Sequence, residues 1–345
     1  MDMGRKTVNF SIEKIGTAYS VYKSCGWLVQ GLYHKNGFIP SSKHFLKCPR
    51  AIGFPKIEYS NCKNFWKRVE KYQIDTLPND KGILNFLIKN INLAQYERRI
   101  ARHKDRLELY WRGIDKKFYK FLFELYPEFK TKTIILNVFS VPYGSLCGFS
   151  SVQYPAKEKL EGNVFLRIDM PEEQLIEGIF SALLSNSLLR HYSWSQKEAI
   201  IDFLVERFLK GYKKSQPYFK TTRILEKQEI NKNLLRNSKR FIEKLSIPLD
   251  KPFKIQKQNI SYFGKKLNQI YMPIEKEILQ QFIDKDDNIL SYDEIADIIW
   301  KDKSNEQFSL WAINKRIHRL RSKLMKEGMP KAGLMTVRGV GYYLG

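Results

Sequence analysis

The sequence lacks long apolar runs and has little cysteine. No segment reaches the 18 consecutive apolar residues expected of a membrane-spanning helix. No apolar stretch follows the two early cations, as it would in a secretion signal. The four cysteines, Cys25, Cys48, Cys62 and Cys147, stand far apart without a Cys-x-x-Cys pair, which argues against a disulfide scaffold or a zinc finger. We therefore predict a cytoplasmic protein with reduced thiols and no membrane partner.

Sequence signatures of catalysis are also missing. The chain contains no Gly-x-x-x-x-Gly-Lys-Ser/Thr loop, no Gly-x-Ser-x-Gly elbow and no dinucleotide-binding glycine pattern. Its five histidines have no mutual spacing that would indicate a site. These absences predict a protein that is not an enzyme, with no catalytic residues, no metal ligands and no cofactor.

Positive charge is what the chain has in excess. Its 345 residues include 60 Lys and Arg against 36 Asp and Glu, which gives a formal net charge of +24. An excess of this size favours a polyanionic partner, and nucleic acid is the leading candidate. Because 43% of the residues are hydrophobic, the chain can build buried cores, and its length suggests about two domains.

Residues 1–212 read as one domain of mixed α+β class. Three prolines among the first 60 residues argue against long helices there. A Gly/Ser-rich segment separates two β-branched runs, so we interpret it as a long loop between two strands. The predicted elements are helices at 82–126, 171–186 and 193–212 and strands at 133–141 and 163–168.

A basic connector, residues 213–247, follows this domain. The surrounding stretch 207–257 holds 15 Lys and Arg against 4 Asp and Glu. Its central part has a pattern typical of a helix, and the segment SIPLDKP ends it. A solvated surface and a contact with a polyanion both explain such a run.

Residues 248–345 have a different pattern, which predicts short strands, three helices and a terminal hairpin. Short antiparallel strands come first, then helices that begin at Pro273 and at Ser291, where Glu294 completes a capping box. A long helix at 308–327 and a hairpin at 333–344 complete the unit. Charge is sorted within it, since residues 274–307 have a net charge of −6 and residues 308–345 a net charge of +7. Such sorting favours a fixed orientation on a polyanion.

The helix at 308–327 separates two kinds of side chain. Its apolar residues fall within an arc of about 60° and three cations within a second arc about 110° away; the apolar set is Ile313, Ile317, Leu320 and Leu324 and the cations are Arg316, Arg319 and Lys323. A cationic stripe suits a helix in the major groove, where Arg reads guanine. Arg338 lies at the expected hairpin tip next to Gly339, and a cation there can enter the minor groove.

These residues carry a resemblance to a known family. Residues 251–345 resemble the winged-helix DNA-binding domain of OmpR/PhoB-type transcriptional regulators, a bacterial-type, phosphorelay-related family. The segments that match are PIEKEIL, SYDEIADIIW, INKRIHRLRSKL and TVRGVGYYL. The resemblance implies double-stranded DNA as partner, with the helix at 308–327 in the major groove and the wing at 333–344 in the minor groove. It also implies a homodimer on DNA and contact with RNA polymerase or another protein.

The resemblance further implies a set of DNA-contacting residues: Arg316, Arg319, Lys323, Arg338, Thr336, Tyr342, Trp300 and Lys315. The chain departs from the family pattern at three places. Asn314 stands where a carboxylate is common, Arg316 where a histidine is common, and Trp311 where an arginine is common. For this reason no base preference can be transferred from the family.

Many such regulators carry a phosphoacceptor receiver domain before the winged helix. The fragment IDTLPNDKG at 74–82 is similar to a receiver loop, but Asp75 lies one residue too close to Leu77 and Pro78. Residues 118–209 resemble, weakly, a zinc metallopeptidase domain of the His-Glu-x-x-His type. Glu177, Gly178 and Ser181 occupy the positions of the His-Glu-x-x-His residues there, which implies a degenerate site.

We therefore predict a DNA-binding transcriptional regulator without a recognisable receiver domain. The alternative is a hydrolase or metallopeptidase-like enzyme in residues 1–212 with the winged helix as a targeting module. A winged helix that binds RNA or protein is a third possibility.

Overall fold

A computed structural model of the chain describes residues 4–42, 48–154, 158–211, 220–221, 229–230, 232–245, 247, 253–256, 259–262, 265–269, 271–285, 288–301, 308–327, 329 and 333–345. The chain divides into two compact units. The first unit comprises Met1–Gln30 and Ser42–Ile224, and the second comprises Gly31–Ser41 and Leu225–Gly345. No helix among the described residues is both long and apolar enough to cross a membrane.

The helices and strands are numbered along the chain. The helices are α1 Lys14–Val29, α2 Leu32–Lys35, α3 Phe65–Glu70, α4 Lys81–Asn90, α5 Glu97–Leu125, α6 Gln174–Leu184, α7 Trp194–Lys210, α8 Lys232–Leu245, α9 Pro273–Asp284, α10 Tyr292–Trp300 and α11 Leu310–Lys326. The strands are β1 Lys6–Ser11, β2 Ile39–Ser41, β3 Ala51–Gly53, β4 Thr133–Val141, β5 Cys147–Tyr154, β6 Lys159–Arg167, β7 Glu229–Ile230, β8 Phe253–Gln256, β9 Asn259–Tyr262, β10 Lys265–Lys266, β11 Ile289–Ser291, β12 Leu334–Val337 and β13 Gly341–Leu344.

A four-stranded sheet in the order β1-β4-β6-β5 organises the first unit. The pairs β1/β4 and β4/β6 are parallel, and β5 is antiparallel to β6. Alternate residues face opposite sides of the sheet. Leu136 and Val164 pack with α5, α6 and α7 on one side, whereas Phe139 and Phe165 pack with Tyr19 of α1 on the other. The predicted mixture of helix and strand is thus confirmed for this part of the chain.

Two predictions for the first unit were wrong. The segment predicted as a long loop at 143–151 contains most of β5, because its backbone pairs along β6 despite its small residues. The prediction against long helices before residue 60 fails at α1, which spans 16 residues. The prolines that suggested it all lie beyond α1, and the helix is buried over much of its circumference, so no amphipathic pattern marks it.

The second unit contains the predicted winged-helix elements. Helices α9, α10 and α11 and the hairpin β12/β13 share one hydrophobic core, to which Phe282, Ile295, Ile317 and Leu344 contribute. A three-stranded antiparallel sheet in the order β10-β9-β8 precedes them. The predicted turn at Gly264 lies outside the described residues. The capping box at Ser291 is present, with the Glu294 backbone N donating to Ser291 Oγ at 3.1 Å.

The hairpin is buried on both faces. Leu334 and Tyr342 belong to the core shared with α9, α10 and α11, while Met335 and Val337 point to the opposite side and are 1% and 0% exposed. On that side Met335 and Tyr343 line a small cavity together with Ser238 of α8 and residues 34 and 37–39. Strand β7 extends the same sheet, parallel to β12.

The packing on this side of the hairpin explains why the two compact units differ from the predicted domain boundaries. Helix α8 packs on β2, and Ser41 Oγ donates to Asn237 Oδ1 at 3.0 Å. Residues Gly31–Ser41 therefore belong to the second unit although they fall within the predicted domain 1–212, and α8 of the predicted connector 213–247 belongs there as well. Phe38 and Ile39 of this segment are buried, and they line the same small cavity as Ser238, Met335 and Tyr343.

Candidate functional site

Helix α11 begins at a local cap and is held by its apolar face. Ser309 Oγ accepts a hydrogen bond from the Ala312 backbone N at 3.3 Å, which satisfies one free N–H of the first turn. Ile313, Ile317 and Leu320 are at most 1% exposed and pack into the core of the second unit. The predicted apolar stripe is therefore the buried face, and the opposite face of α11 is left to solvent.

The predicted cations of α11 occupy different environments. Arg319 and Lys315 are exposed, and Arg316 is half-buried at the edge of the core-facing stripe. Lys315 Nζ lies 4.5 Å from the centroid of the Trp311 ring, which steers the ammonium along the exposed face. None of the three cations forms an ion pair with another residue of the described part of the chain. Their charges remain available to a ligand in solvent.

Lys323 is held inside the unit instead. Its Nζ lies 2.5 Å from Glu275 Oε2 of α9 and 5.8 Å from the centroid of the Tyr271 ring. Glu275 is 3% exposed and also accepts a hydrogen bond from the Met272 backbone N at 2.7 Å. The Lys323 ammonium therefore compensates a buried carboxylate. This corrects the expectation that Lys323 shares the open face of Arg319.

Side-chain hydrogen bonds between described residues tie α11 to the hairpin. Arg321 is buried, and its Nε donates to the Leu334 carbonyl oxygen of β12 at 2.8 Å. The Tyr342 hydroxyl donates to Asn314 Oδ1. Burial raises the pKa of Tyr342 to about 12, so this hydroxyl remains a donor at neutral pH. Tyr342, predicted to bind phosphate, thus points its hydroxyl at α11, and Asn314 accepts where the family commonly has a carboxylate.

The hairpin tip presents the wing arginine. Arg338 is exposed, and it follows Val337, the last residue of β12. Gly339 adopts a φ of +69° and Gly341 a φ of +156°, so the two glycines supply backbone conformations that other residues rarely adopt. A Cβ on Gly341 would lie 1.9 Å from the Leu290 carbonyl oxygen, because β13 approaches β11 closely there. The turn therefore fixes the position from which Arg338 extends.

The remaining predicted residues lie at the margins of this surface. Thr336 is half-buried on β12 and pairs in register with Tyr342. Trp300 is half-buried at the end of α10, where its ring centroid lies 6.5 Å from that of Phe308. Trp300 also packs against the core of the second unit. The predicted phosphate contacts of Thr336 and Trp300 remain predictions.

Sequence reasoning did not identify the centre of the exposed face. His318 and Lys326 are exposed and Ser322 is half-buried on α11, and together with Lys315 and Arg319 they fall within about 100° around the helix axis. The face is thus rotated from the predicted stripe of Arg316, Arg319 and Lys323. The 3–4 spacing of the polar residues 315, 318, 322 and 326 was the available signal.

The first unit contains a buried acidic group where the metallopeptidase resemblance lay. Glu177 of α6 and Asp202 of α7 are each 5% exposed. Glu177 Oε1 accepts from Thr221 Oγ1 at 3.2 Å and Asp202 Oδ1 from the Thr221 backbone N at 3.3 Å. Burial, reinforced by Asp202, raises the pKa of the Glu198 carboxyl above its ordinary value. In the described residues, no three His, Cys, Asp or Glu side chains are arranged to hold a metal ion.

Comparison with known proteins bears on the second unit. Residues 270–344 match the model of the family described as "Transcriptional regulatory protein, C terminal". No curated protein and no solved structure matches the chain. The match confirms the resemblance to an OmpR/PhoB-type winged-helix domain over these residues. The chain thus contains a DNA-binding domain of transcriptional regulators, which implies double-stranded DNA as its partner.

Proposed function

We propose that the protein regulates transcription by sequence-specific binding of duplex DNA through one surface of its second unit. Helix α11 enters the major groove with Arg319 and Lys315 foremost and Arg316 at the edge. Arg338 enters the neighbouring minor groove from the hairpin tip. Base edges are read by α11, and the wing adds a contact that depends on groove width.

The observation that carries this proposal is the sorting of cations on α11. Arg319 and Lys315 are exposed and unpaired within the described chain, whereas Arg321 and Lys323 are engaged inside the unit. Exposed cations without an internal partner keep the charge that attracts a phosphate backbone. The bonds of Arg321 and Tyr342 also brace α11 against the hairpin, which supports a fixed spacing between the two DNA-contacting elements.

We further propose that the first unit is a sensing or protein-binding platform rather than a receiver or an enzyme. We also propose that the chain divides by function into an N-terminal domain at 1–212, a connector at 213–247 and a winged-helix domain at 248–345. Asp75, the one residue similar to a receiver phosphoacceptor, pairs with Lys23 and is only 16% exposed. An antiparallel edge strand, β5, also distinguishes its sheet from the parallel sheet of a doubly wound receiver. Glu177, at a position where the metallopeptidase resemblance expects a histidine, accepts a hydrogen bond from Thr221. The predicted cytoplasmic location stays a prediction.

A protein partner and a second copy on DNA complete the proposal. Phe308, Leu310 and Trp311 at the start of α11 are 48%, 45% and 69% exposed, and such apolar groups suit contact with RNA polymerase or another protein. Homodimerisation on DNA rests on the family resemblance alone. Size-exclusion chromatography with and without the bound DNA site measures it.

Selection of bound fragments from random duplex DNA tests the central claim. The full chain should enrich a defined motif, and fluorescence anisotropy on that motif then gives affinities. Arg338→Ala should weaken binding by about 1–3 kcal/mol, because a groove-reading arginine contributes that much. The matched control is Arg98→Ala, which removes an exposed arginine from α5 in the first unit and should leave the affinity unchanged.

Failure to enrich any motif would contradict sequence-specific binding. An unchanged affinity of the Arg338→Ala protein would show that the wing arginine does not contact DNA. It would not contradict the role of α11. If α11 reads bases, Arg319→Ala should also relax the enriched motif at one position rather than weaken all sequences equally.

A further inference from the structure

Helix α8 carries a row of cations outside the segment matched by the regulator family. Lys232, Arg236, Arg240 and Lys244 follow one another at intervals of four residues, and all four are exposed. These four residues form the α8 row. Within the described chain none of them forms an ion pair. The family match begins at residue 270, so the row belongs to no feature already assigned.

The α8 row lies opposite the buried face of its helix. At about 100° per residue the row spans roughly 120°, centred about 170° from the buried residues; these are Leu234, Leu235, Ser238 and Phe241. The one acidic residue on the exposed side, Glu243, lies 3.9 Å from Lys239, which is not part of the row. The apolar face thus fixes the orientation of the helix and turns the row into solvent.

The chain path brings the beginning of the row to the wing. Strand β7 runs parallel to β12, with Ile230 in register with Val337, the residue before Arg338. Helix α8 begins at Lys232, two residues after Ile230. Because paired strands lie about 4.8 Å apart, the first turn of α8 starts beside the hairpin tip. The positive end of the helix dipole lies at the same place.

The length and spacing of the row suit a phosphate backbone. Successive members are about 6 Å apart along the helix axis and the whole row spans about 18 Å, which is the axial length of roughly five base pairs. Lys and Arg side chains that contact only phosphates add affinity without reading bases. If the row were only a solvated helix face, its cations would have no reason to begin next to the wing.

We propose that the α8 row is a second DNA contact of this unit, which binds the phosphate backbone next to the segment entered by Arg338. This inference rests on the proposed function, because it assumes that the wing approaches a duplex. The row adds affinity that is independent of sequence, whereas α11 supplies the discrimination.

Salt-dependent binding of the full chain tests the row. The test variant carries Lys232→Gln, Arg236→Gln, Arg240→Gln and Lys244→Gln, which keep good helix formers at exposed positions. The matched control removes the same number of charges from exposed positions of α5 in the first unit, through Arg98→Gln, Arg102→Gln, Lys116→Gln and Lys120→Gln. Circular dichroism and urea midpoints verify that both variants fold.

The slope of log affinity against log salt should fall by up to about 3.6 in the test variant, since each neutralised phosphate contributes about 0.9. The fall should be equal on the selected motif and on an unrelated duplex, so that the ratio of the two affinities is unchanged. Hydroxyl-radical footprinting should show protection lost on the flank of the motif and kept at its centre. The control should keep the wild-type slope.

Equal changes of slope in the test and control variants would overturn the inference, because net charge alone would then explain them. An unchanged slope in the test variant would overturn it too. Row-dependent binding to vesicles containing phosphatidylserine, with an unchanged DNA slope, would assign the row to a membrane surface instead. The proposed function fails separately, when the wild-type protein enriches no motif.

Discussion

The ion pair between Lys323 and Glu275 leads to a prediction that separates a structural cation from a DNA-binding one. Substituting Lys323→Met removes the ammonium that lies 2.5 Å from the Glu275 carboxylate, whose side chain is 4% exposed. The unpaired carboxylate must then either remain charged in a buried site or take up a proton. Either outcome lowers the free energy of unfolding of the second unit.

The magnitude follows from the exposure of the two partners. Breaking a fully buried pair costs about 3–5 kcal/mol, whereas exposed pairs contribute about 0–1 kcal/mol. Lys323 is 27% exposed, and Glu275 retains the hydrogen bond from the Met272 backbone N. We therefore expect a loss of about 1–2 kcal/mol. Met keeps the aliphatic packing of the lysine stem, so the loss reports the charge.

Native-state hydrogen exchange on peptides from α9 measures this loss in the full chain. A local measurement is needed because a chain with two compact units need not unfold in a single two-state transition. Arg319→Met is the matched control, because Arg319 lies on the same helix and is exposed without an ion pair in the described chain. It should lower DNA affinity and leave exchange from α9 unchanged. Adding Glu275→Gln to Lys323→Met should restore most of the lost stability.

The reasoning would be refuted by the opposite pattern. If Lys323→Met leaves exchange from α9 unchanged and weakens DNA binding as much as Arg319→Met does, then Lys323 leaves Glu275 to bind phosphate. The side chain would then belong to the interface predicted from the sequence.

Two further predictions concern the wing and pH. Gly341→Ala should destabilise the second unit by about 1–3 kcal/mol, since its Cβ would lie 1.9 Å from the Leu290 carbonyl oxygen. At Gly339 a Cβ would meet open space, so Gly339→Ala should cost only the strain of a φ of +69°. Equal shifts of the thermal midpoint in the two variants would contradict this prediction. Burial lowers the pKa of His103, whose Nδ1 lies 2.8 Å from Ser140 Oγ, to about 4. The unfolded state then binds more protons between pH 4 and 6.5, so stability should fall by about 3 kcal/mol as the pH drops through that window. His103→Gln should flatten this fall when native-state hydrogen exchange on peptides from α5 is measured at several pH values, and a slope equal to that of the wild type would contradict the assignment.

Local rules made the helix starts predictable from the sequence. Ser193 and Ser291 each stand three residues before a Gln or a Glu, and both capping boxes are present in the structure. A capping box involves only four consecutive residues, so no knowledge of the tertiary fold is needed. The apolar faces of α9, α10 and α11 were predictable for the same reason, because a periodic pattern on one helix determines which side is buried.

Features that depend on distant partners were not predictable. Lys323 and Glu275 are separated by 48 residues, and Tyr342 and Asn314 by 28, so their contacts appear only when the elements pack. The exposed face of α11 was therefore predicted with an error in rotation, which included Lys323 and omitted His318. Most of β5 was likewise predicted to be a loop because its residues are small, whereas backbone pairing along β6 decides their conformation.

The placement of Gly31–Ser41 in the second unit has a consequence for the order in which the protein is made. This segment leaves the ribosome about 190 residues before Lys232, the start of the helix on which it packs. At 5–20 residues per second that interval lasts roughly 10–40 s. During it Phe38 and Ile39 are without Ser238, Met335 and Tyr343, which line the same cavity in the folded unit, because those residues have not yet been synthesised. The segment therefore reaches its folded environment only after the C-terminal part of the unit has been made.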